Sequence, residues 1–246
     1  MIDHLMDLAD RSREQNRYLF SEFLSLPEQS DFLKMIGPHS AIPYEMWGGI
    51  EGCERKVVRF GSPEELGYEE DYPIVCLEIA PRMQKFADHL EHRDVLGALM
   101  NQGIRREVLG DIFFEENVAY LFCLSSIAEY LQDTLKQIRH TAIQVRVCEN
   151  VPDLSGGKPK EKETTVASER IDVMIAECYN LSRSVCSELF HQGRVFLNGR
   201  QTEQTSAQLK AEDLVTVRGF GRFRYKENLG MTKKGKIRVV IELWGN

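Results

Sequence analysis

At 246 residues the chain is long enough for two or three compact domains with a sizeable core. Apolar residues make up 42% and charged residues 28%, which excludes collagen-like, mucin-like and wholly disordered classes. The longest apolar run, Val118 to Leu124, is far below the roughly 20 residues of a bilayer-spanning helix, so no membrane contact is expected. The opening Met1-Ile2-Asp3-His4 carries no basic region ahead of an apolar stretch, so a cytoplasmic location is expected.

The net charge of −7 is unevenly spread. Residues 156–246 carry 16 Lys and Arg against 11 Asp and Glu, a net +5, and the remainder of the chain carries −12. A chain divided in this way offers a basic surface at one end and an anion-repelling one at the other. Six scattered cysteines, Cys53, Cys76, Cys123, Cys148, Cys178 and Cys186, form no C-x-x-C pair. Buried, reduced thiols are expected rather than a zinc site or a disulfide framework, and no cofactor is implied.

Residues 1–70 read as a mainly helical cap. Helical spacing appears at Leu5, Leu8 and Ala9, again around Tyr18, Phe20, Phe23 and Leu24, and in a short helix from Phe32 to Ile36 that Gly37-Pro38 ends. Arg55 to Phe60 reads as a strand. Residues 71–150 are more regular: a strand at Ile74 to Ile79, a helix across Val95 to Met100, and a hairpin of Ile112 to Phe114 and Val118 to Cys123. A helix with Ile127, Leu131, Leu135 and Ile138 on one face follows, then a strand alternating Ile143, Val145 and Val147. The order βαββαβ fits a ferredoxin-like or RRM-like domain, and the whole chain an α+β class. No strand carries the aromatic-rich RNP signature, which argues against base stacking on this sheet. Residues 151–167, rich in Pro, Gly and charge, read as a linker.

Residues 168–246 hold the most specific pattern. Arg170-Ile171-Asp172 opens an amphipathic helix that Asn180-Leu181 breaks. Ser182 sits where an N-cap belongs, and a second helix from Arg183 to Gln192 is expected to bury Val185, Leu189 and Phe190 before Gly193 ends it. Arg194 to Leu197 and Leu214 to Val217 read as strands, with Asn198-Gly199 a strong hairpin signal. These runs, R-I-D, S-R-S, H-Q-G-R-V-F-L-N-G-R and D-L-V-T-V-R-G-F-G-R-F, resemble the S4 RNA-binding domain, whose packed helices and β loop grip structured RNA.

The residue types suit that task on physical grounds. Arg183 falls in the first turn of its helix, where free N–H groups and the dipole already attract phosphate, and its guanidinium adds bidentate bonds. Ser182 and Ser184 flank it as small donors. Arg170, Arg194 and Arg200 are expected to frame the same face with Gln192 and Asn198, and Arg218, Arg222 and Arg224 to extend it. Such a comb reads backbone and shape more than sequence. The competing reading is a solvated face balanced by Glu169, Asp172, Glu177 and Glu188. Arg11, Arg13 and Arg17 on the first helix are a possible second RNA contact, or simply solvent-facing.

His92-Arg93-Asp94-x-Leu96-Gly97 and Gly103-Ile104-x-Arg106-Glu107-x-x-Gly110-Asp111-Ile112, together with the S4-like end, resemble the bacterial YlmH family, also called RqcP. That resemblance implies a non-enzymatic protein binding ribosomal RNA and tRNA on the large ribosomal subunit, and a monomer is expected. It also implies action on peptidyl-tRNA during ribosome-associated quality control, where a stalled chain receives an alanine tail. A role at the division septum is the minor competitor.

Enzyme readings find little. His92-Arg93-Asp94 lacks the kinase asparagine, since Leu99 stands there, and no D-F-G or P-loop lysine exists. His89 and His92 suit a helix-surface pair better than a metal site, and Gly219-Phe220-Gly221 a tight turn better than a dinucleotide loop. The sequon Asn180-Leu181-Ser182 carries no meaning without secretion. S4 domains also accompany pseudouridine synthases, tyrosyl-tRNA synthetases and rRNA methyltransferases, but none of their catalytic signatures is present.

Overall fold

The computed structural model describes residues 2–37, 41–152, 154 and 159–244. The chain divides into two units, Met1–Glu28 with Met35–Ser155, and Gln29–Lys34 with Gly156–Asn246. The described residues form a mixed α/β protein with three antiparallel sheets.

The N-terminal part of the chain runs α1 (Ile2–Gln15), β1 (Leu19–Phe20), α2 (Leu26–Ile36), β2 (Tyr44–Trp47), β3 (Val57–Phe60) and α3 (Pro63–Leu66), all in the first unit except Gln29–Lys34 of α2. Helix α1 buries Leu5, Leu8, Ala9 and Ser12 on one side, and the Ser12 hydroxyl hydrogen-bonds the carbonyls of Arg17 and Phe60. The helical reading of Tyr18 to Leu24 is corrected. Leu19 and Phe20 pair with β3, the Ser21 amide donates to the Val58 carbonyl at 2.9 Å, and Leu24 bridges Lys56. Backbone groups that a helix would satisfy internally are satisfied across the strand, which frees Tyr18 and Phe23 to bury on different partners. Helix α2 starts at a capping box between Ser25 and Glu28 and ends at Gly37; Pro38 lies outside the described residues.

The strands β4 (Ile74–Pro81), β5 (Leu109–Glu115), β6 (Val118–Leu124), β7 (Gln137–Ile138) and β8 (Thr141–Val147) form a sheet of order β5-β6-β4-β8-β7. Helices α4 (His92–Asn101) and α5 (Ala128–Thr134) cover one face through Val95, Leu99 and Leu131, over Leu77, Ile79, Leu121 and Val145. Helix α5 is shorter than its apolar spacing suggested: Leu135 and Ile138 are buried, but beyond its end, with Ile138 in β7. The opposite face carries Cys76, Tyr120 and Phe122, and is covered by Phe23, Cys53, Val57 and Leu154. Residues 1–70 and 71–150 therefore share a core, and do not separate as two domains.

The motif Gly103 to Ile112 explains that join. The Phe23 amide donates to the Glu107 carbonyl at 2.8 Å. Arg55 donates to the carbonyls of Phe23, Leu109 and Arg106, and Arg106 to those of Leu109 and Gly110. The Asp111 carboxylate accepts from the amides of Glu54 and Arg55. A Cβ on Gly110 would lie 2.8 Å from the buried Phe23 ring and 3.0 Å from Phe122 Cβ. Gly110→Ala is accordingly expected to cost about 1–3 kcal/mol through overpacking, read as a lower urea midpoint.

The second unit contains β9 (Lys160–Val166), α6 (Ile171–Tyr179), α7 (Arg183–His191), β10 (Val195–Leu197), β11 (Arg200–Gln201), β12 (Leu214–Val217), β13 (Gly221–Met231) and β14 (Ile237–Trp244). Its sheet order is β11-β10-β12-β13-β14-β9. The assignment of 151–167 to a linker is corrected at its end, because Lys160–Val166 pairs with β14 from Leu243↔Lys160 to Ile237↔Val166. Of the rest of that segment, Asp153 and Ser155 to Lys158 lie outside the described residues. Helices α6 and α7 pack Ile171, Met174, Ile175, Cys186, Leu189 and Phe190 onto Val215, Val217, Phe223 and Tyr225. Val185, expected inside, is 44% exposed; Cys186, one position on, takes the core place at 2%. Asn198 and Gly199 turn β10 into β11 with φ of 50° and 76°, the paired positive values of a tight hairpin.

Candidate nucleic-acid interface

Helix α7 begins as its sequence suggests. Ser182 is extended, and its hydroxyl accepts from the Val185 amide at 3.3 Å while lying 3.0 Å from the Ser184 hydroxyl. Arg183 stands exposed in the first turn, with no ion-pair partner among the described residues. The capped terminus therefore presents free amides, hydroxyls and one unspent guanidinium together.

Arg183 also lines a groove of about 460 Å³ that runs past Asn180, Thr205 and Lys236. Lys236 belongs to the tip between β13 and β14, where Thr232 and Lys236 hydrogen-bond one another and Lys233 and Lys234 are exposed. The sequence reading passed over this tip, although the run Lys233-Lys234-Gly235-Lys236 was the signal. Two carboxylates in the groove are engaged: Asp172 with Arg170, and Glu177 with the Thr164 hydroxyl at 2.7 Å.

The other arginines do not form one comb with Arg183. Arg170 makes two bonds to Asp172, at 3.0 and 2.6 Å, and that carboxylate pushes its pKa up. Its charge is met locally. Arg194 turns inward, donating to the Arg218 carbonyl and lying over the Phe220 ring at 5.6 Å, so it fastens the turn at Gly219. Arg218 is exposed in that turn with no ion pair among the described residues. It sits just past β12, where its amide donates to the Arg194 carbonyl, so Arg183 and Arg218 are set apart by the length of α7, about 13.5 Å, with Arg183 at its start and Arg218 beyond its end.

Strand alternation separates the rest. Phe223 and Tyr225 point at the helices, so Arg222, Arg224 and Lys226 point to the other face of the sheet. There Arg222 and Arg224 lie over the Trp244 ring at 4.9 and 5.4 Å. Arg224 pairs with Glu242 at 3.6 Å and Lys226 with Glu212 at 2.7 Å. That hydrogen bond pushes the Lys226 ammonium up and the Glu212 carboxyl down. Arg200 is half-buried in β11. Gln192 binds Glu188, and Asn198 is committed to Asp213 and the Leu214 amide.

Within the first unit, Arg13 and Arg17 are exposed at the end of α1, and Arg11 pairs with Asp7 at 3.3 Å. His92 opens α4; Asp94 of the same motif accepts from the Glu91 amide at 3.0 Å and lies 3.6 Å from Arg139. These are capping contacts. No cluster of three metal-ligating side chains occurs among the described residues.

Comparison with known proteins adds a second line of evidence. Residues 67–151 match the family model described as "Putative RNA-binding domain in YlmH". Over 250 residues the chain is 28% identical to the Ribosome-associated protein quality control protein P2 of Bacillus subtilis (strain 168), covering 98% of this chain and 93% of that protein. The solved structure of Cell division protein ylmH from Streptococcus pneumoniae is 21% identical, with a TM-score of 0.48, over 60% of this chain and 88% of that chain. The matched domain and the near end-to-end alignment agree with the motifs read above, and the chain is similar to YlmH proteins along almost its whole length.

Proposed function

We propose that this protein binds structured RNA in ribosome-associated quality control, without making or breaking a bond. The reading is carried by the alignment across 98% of the chain with a relative whose name states ribosome-associated quality control. The RNA-binding domain model over residues 67–151 and the unspent cations around the start of α7 support it. The partners are ribosomal RNA and tRNA on a large subunit that carries peptidyl-tRNA, and the place of action is the cytoplasm, as a monomer. Among the described residues no helix is long and apolar enough to cross a membrane.

In this reading the second unit is an S4-type module. Its α6–α7 corner and the β13–β14 tip grip phosphates, with Arg183 and Lys236 in one groove. The strand order β5-β6-β4-β8 supports a ferredoxin-like arrangement for the matched domain. That domain does not use its sheet as a stacking platform: on the face opposite the helices Tyr120 and Phe122 are only 8% and 2% exposed, and the half-buried Phe113 packs edge-on against Phe122. Its RNA contacts lie on loops and edges. A protein of this kind holds one tRNA position against rRNA, and the ribosome performs the chemistry of tailing.

Sucrose-gradient fractionation of tagged protein tests the proposal. Co-migration with large subunits carrying peptidyl-tRNA, lost progressively as salt rises, is the expected result. Residence in ribosome-free fractions alone would sink it.

A further inference from the structure

The first unit carries a second concave site, away from the residues discussed so far. Strand β2, at the edge of its sheet, lines a groove of about 660 Å³ with Tyr44, Glu45, Met46 and Trp47, and Lys56, Glu69, Asp71 and Tyr72 complete the rim around Arg59. Trp47 is 39% exposed, unusual for so large an apolar side chain on a small surface. Residues 61–73 contain Glu64, Glu65, Glu69, Glu70 and Asp71 and no lysine or arginine.

Beneath the rim lies Arg59, whose side chain is only 5% exposed. It is held between the rings of Tyr18 and Tyr72, at 4.9 and 5.1 Å, paired with Glu45 at 2.5 Å and with Glu69 at 3.7 Å, and donates to the Glu70 carbonyl at 2.7 Å. Its Nε and the Tyr72 hydroxyl are buried donors with no hydrogen-bond partner among the described residues. Unmet buried donors cost stability, so they point to a ligand that brings acceptors.

We infer that this groove docks an extended, arginine- and lysine-rich polypeptide segment of a partner protein. The exposed rim carboxylates of Asp71 and of Glu69, which reaches Arg59 only at 3.7 Å, meet the cationic heads, and the Trp47 and Tyr44 rings take the aliphatic stems and the cation–π contact. Backbone carbonyls of the segment supply the acceptors that Arg59 and Tyr72 lack. Nucleic acid is disfavoured, because its phosphates would face the acidic run. The inference goes beyond the RNA-binding reading but fits it, since on an RNA-rich particle an acidic face is repelled by nucleic acid and attracted to basic protein.

Trp47 supplies the readout, because Trp244 is the only other tryptophan. In Trp244→Phe protein, a short synthetic peptide of alternating arginine and glycine is expected to shift Trp47 fluorescence saturably. The double substitution Glu69→Lys, Asp71→Lys should weaken it roughly tenfold or more, as expected when about 1.4 kcal/mol of attraction is lost. Both positions are exposed, so an unchanged melting temperature certifies the fold. Arg183→Ala should leave peptide binding intact, which separates a failure here from a failure of the RNA reading. Undiminished peptide binding by the double variant, or a Trp47 response to single-stranded RNA in place of peptide, overturns the inference.

Discussion

Arg183→Ala is expected to weaken binding to ribosomal RNA by about 1.5–3 kcal/mol, the range for a hydrogen bond to a charged group. Arg170→Ala should change it far less. Both residues sit at the start of a helix, but Arg170 is bonded twice to Asp172, whereas Arg183 has no ion pair among the described residues. Filter binding at several salt concentrations separates the two roles. Losing one phosphate contact should also flatten the log–log salt dependence by roughly one unit, and Arg170→Ala should leave the slope alone. Arg183→Lys should recover only part of the affinity, since an ammonium lacks the planar fork. Equal losses for Arg170 and Arg183 would move the interface to the α6 terminus.

Asp111→Ala is expected to destabilise the first unit by roughly 2–4 kcal/mol, because the Glu54 and Arg55 amides lose their acceptor beside two guanidiniums. For a unit of this size that lowers the melting temperature by about 5–15 °C, measurable by circular dichroism. Asp111→Asn should cost less, since its amide oxygen still accepts. Burial pushes the Asp111 carboxyl up, against the two amide bonds and the guanidiniums of Arg106 and Arg55. A folded carboxyl with a raised pKa holds its proton better than the unfolded chain. Its pH-linked stability is thus complete below the unfolded value and is lost as pH rises through the folded one. Asp111→Asn should lack that decline.

Both residues come from motifs visible in the sequence, yet only for Arg183 does the sequence alone suggest a local setting, the capped start of a helix, that the structure contains. Arg183 was found through capping logic, which is local: Ser182, the helix after it and Gly193 lie within a dozen residues. The motif around Asp111 gave a family resemblance but no role, because its partners, Phe23 and Arg55, are distant in sequence. The βαββαβ order was legible because each element carries its own apolar period, as Ile143, Val145 and Val147 do in β8. Strand β9 was not, since Lys160-Glu161-Lys162-Glu163-Thr164-Thr165 has no apolar alternation; backbone pairing to β14 and the burial of Val166 define it. The arginine comb failed for a similar reason. Arg222 and Arg224 are near Arg218 in sequence, but alternation along β13 sends them to the face opposite the helices, where Trp244 and Glu242 receive them.

The pairing of β9 with β14 sets where the basic module can be cut. A fragment started at the first S4-like residue, near Ser168, would discard β9 and strip one whole side of β14, whose amides and carbonyls would then face water unpaired. Such a bare margin next to Val239, Val240 and Ile241 invites a neighbouring molecule to add its own strand. The charged stretch that looks like a tether is thus the selvedge of the sheet, and it keeps a cation-rich module from knitting to copies of itself.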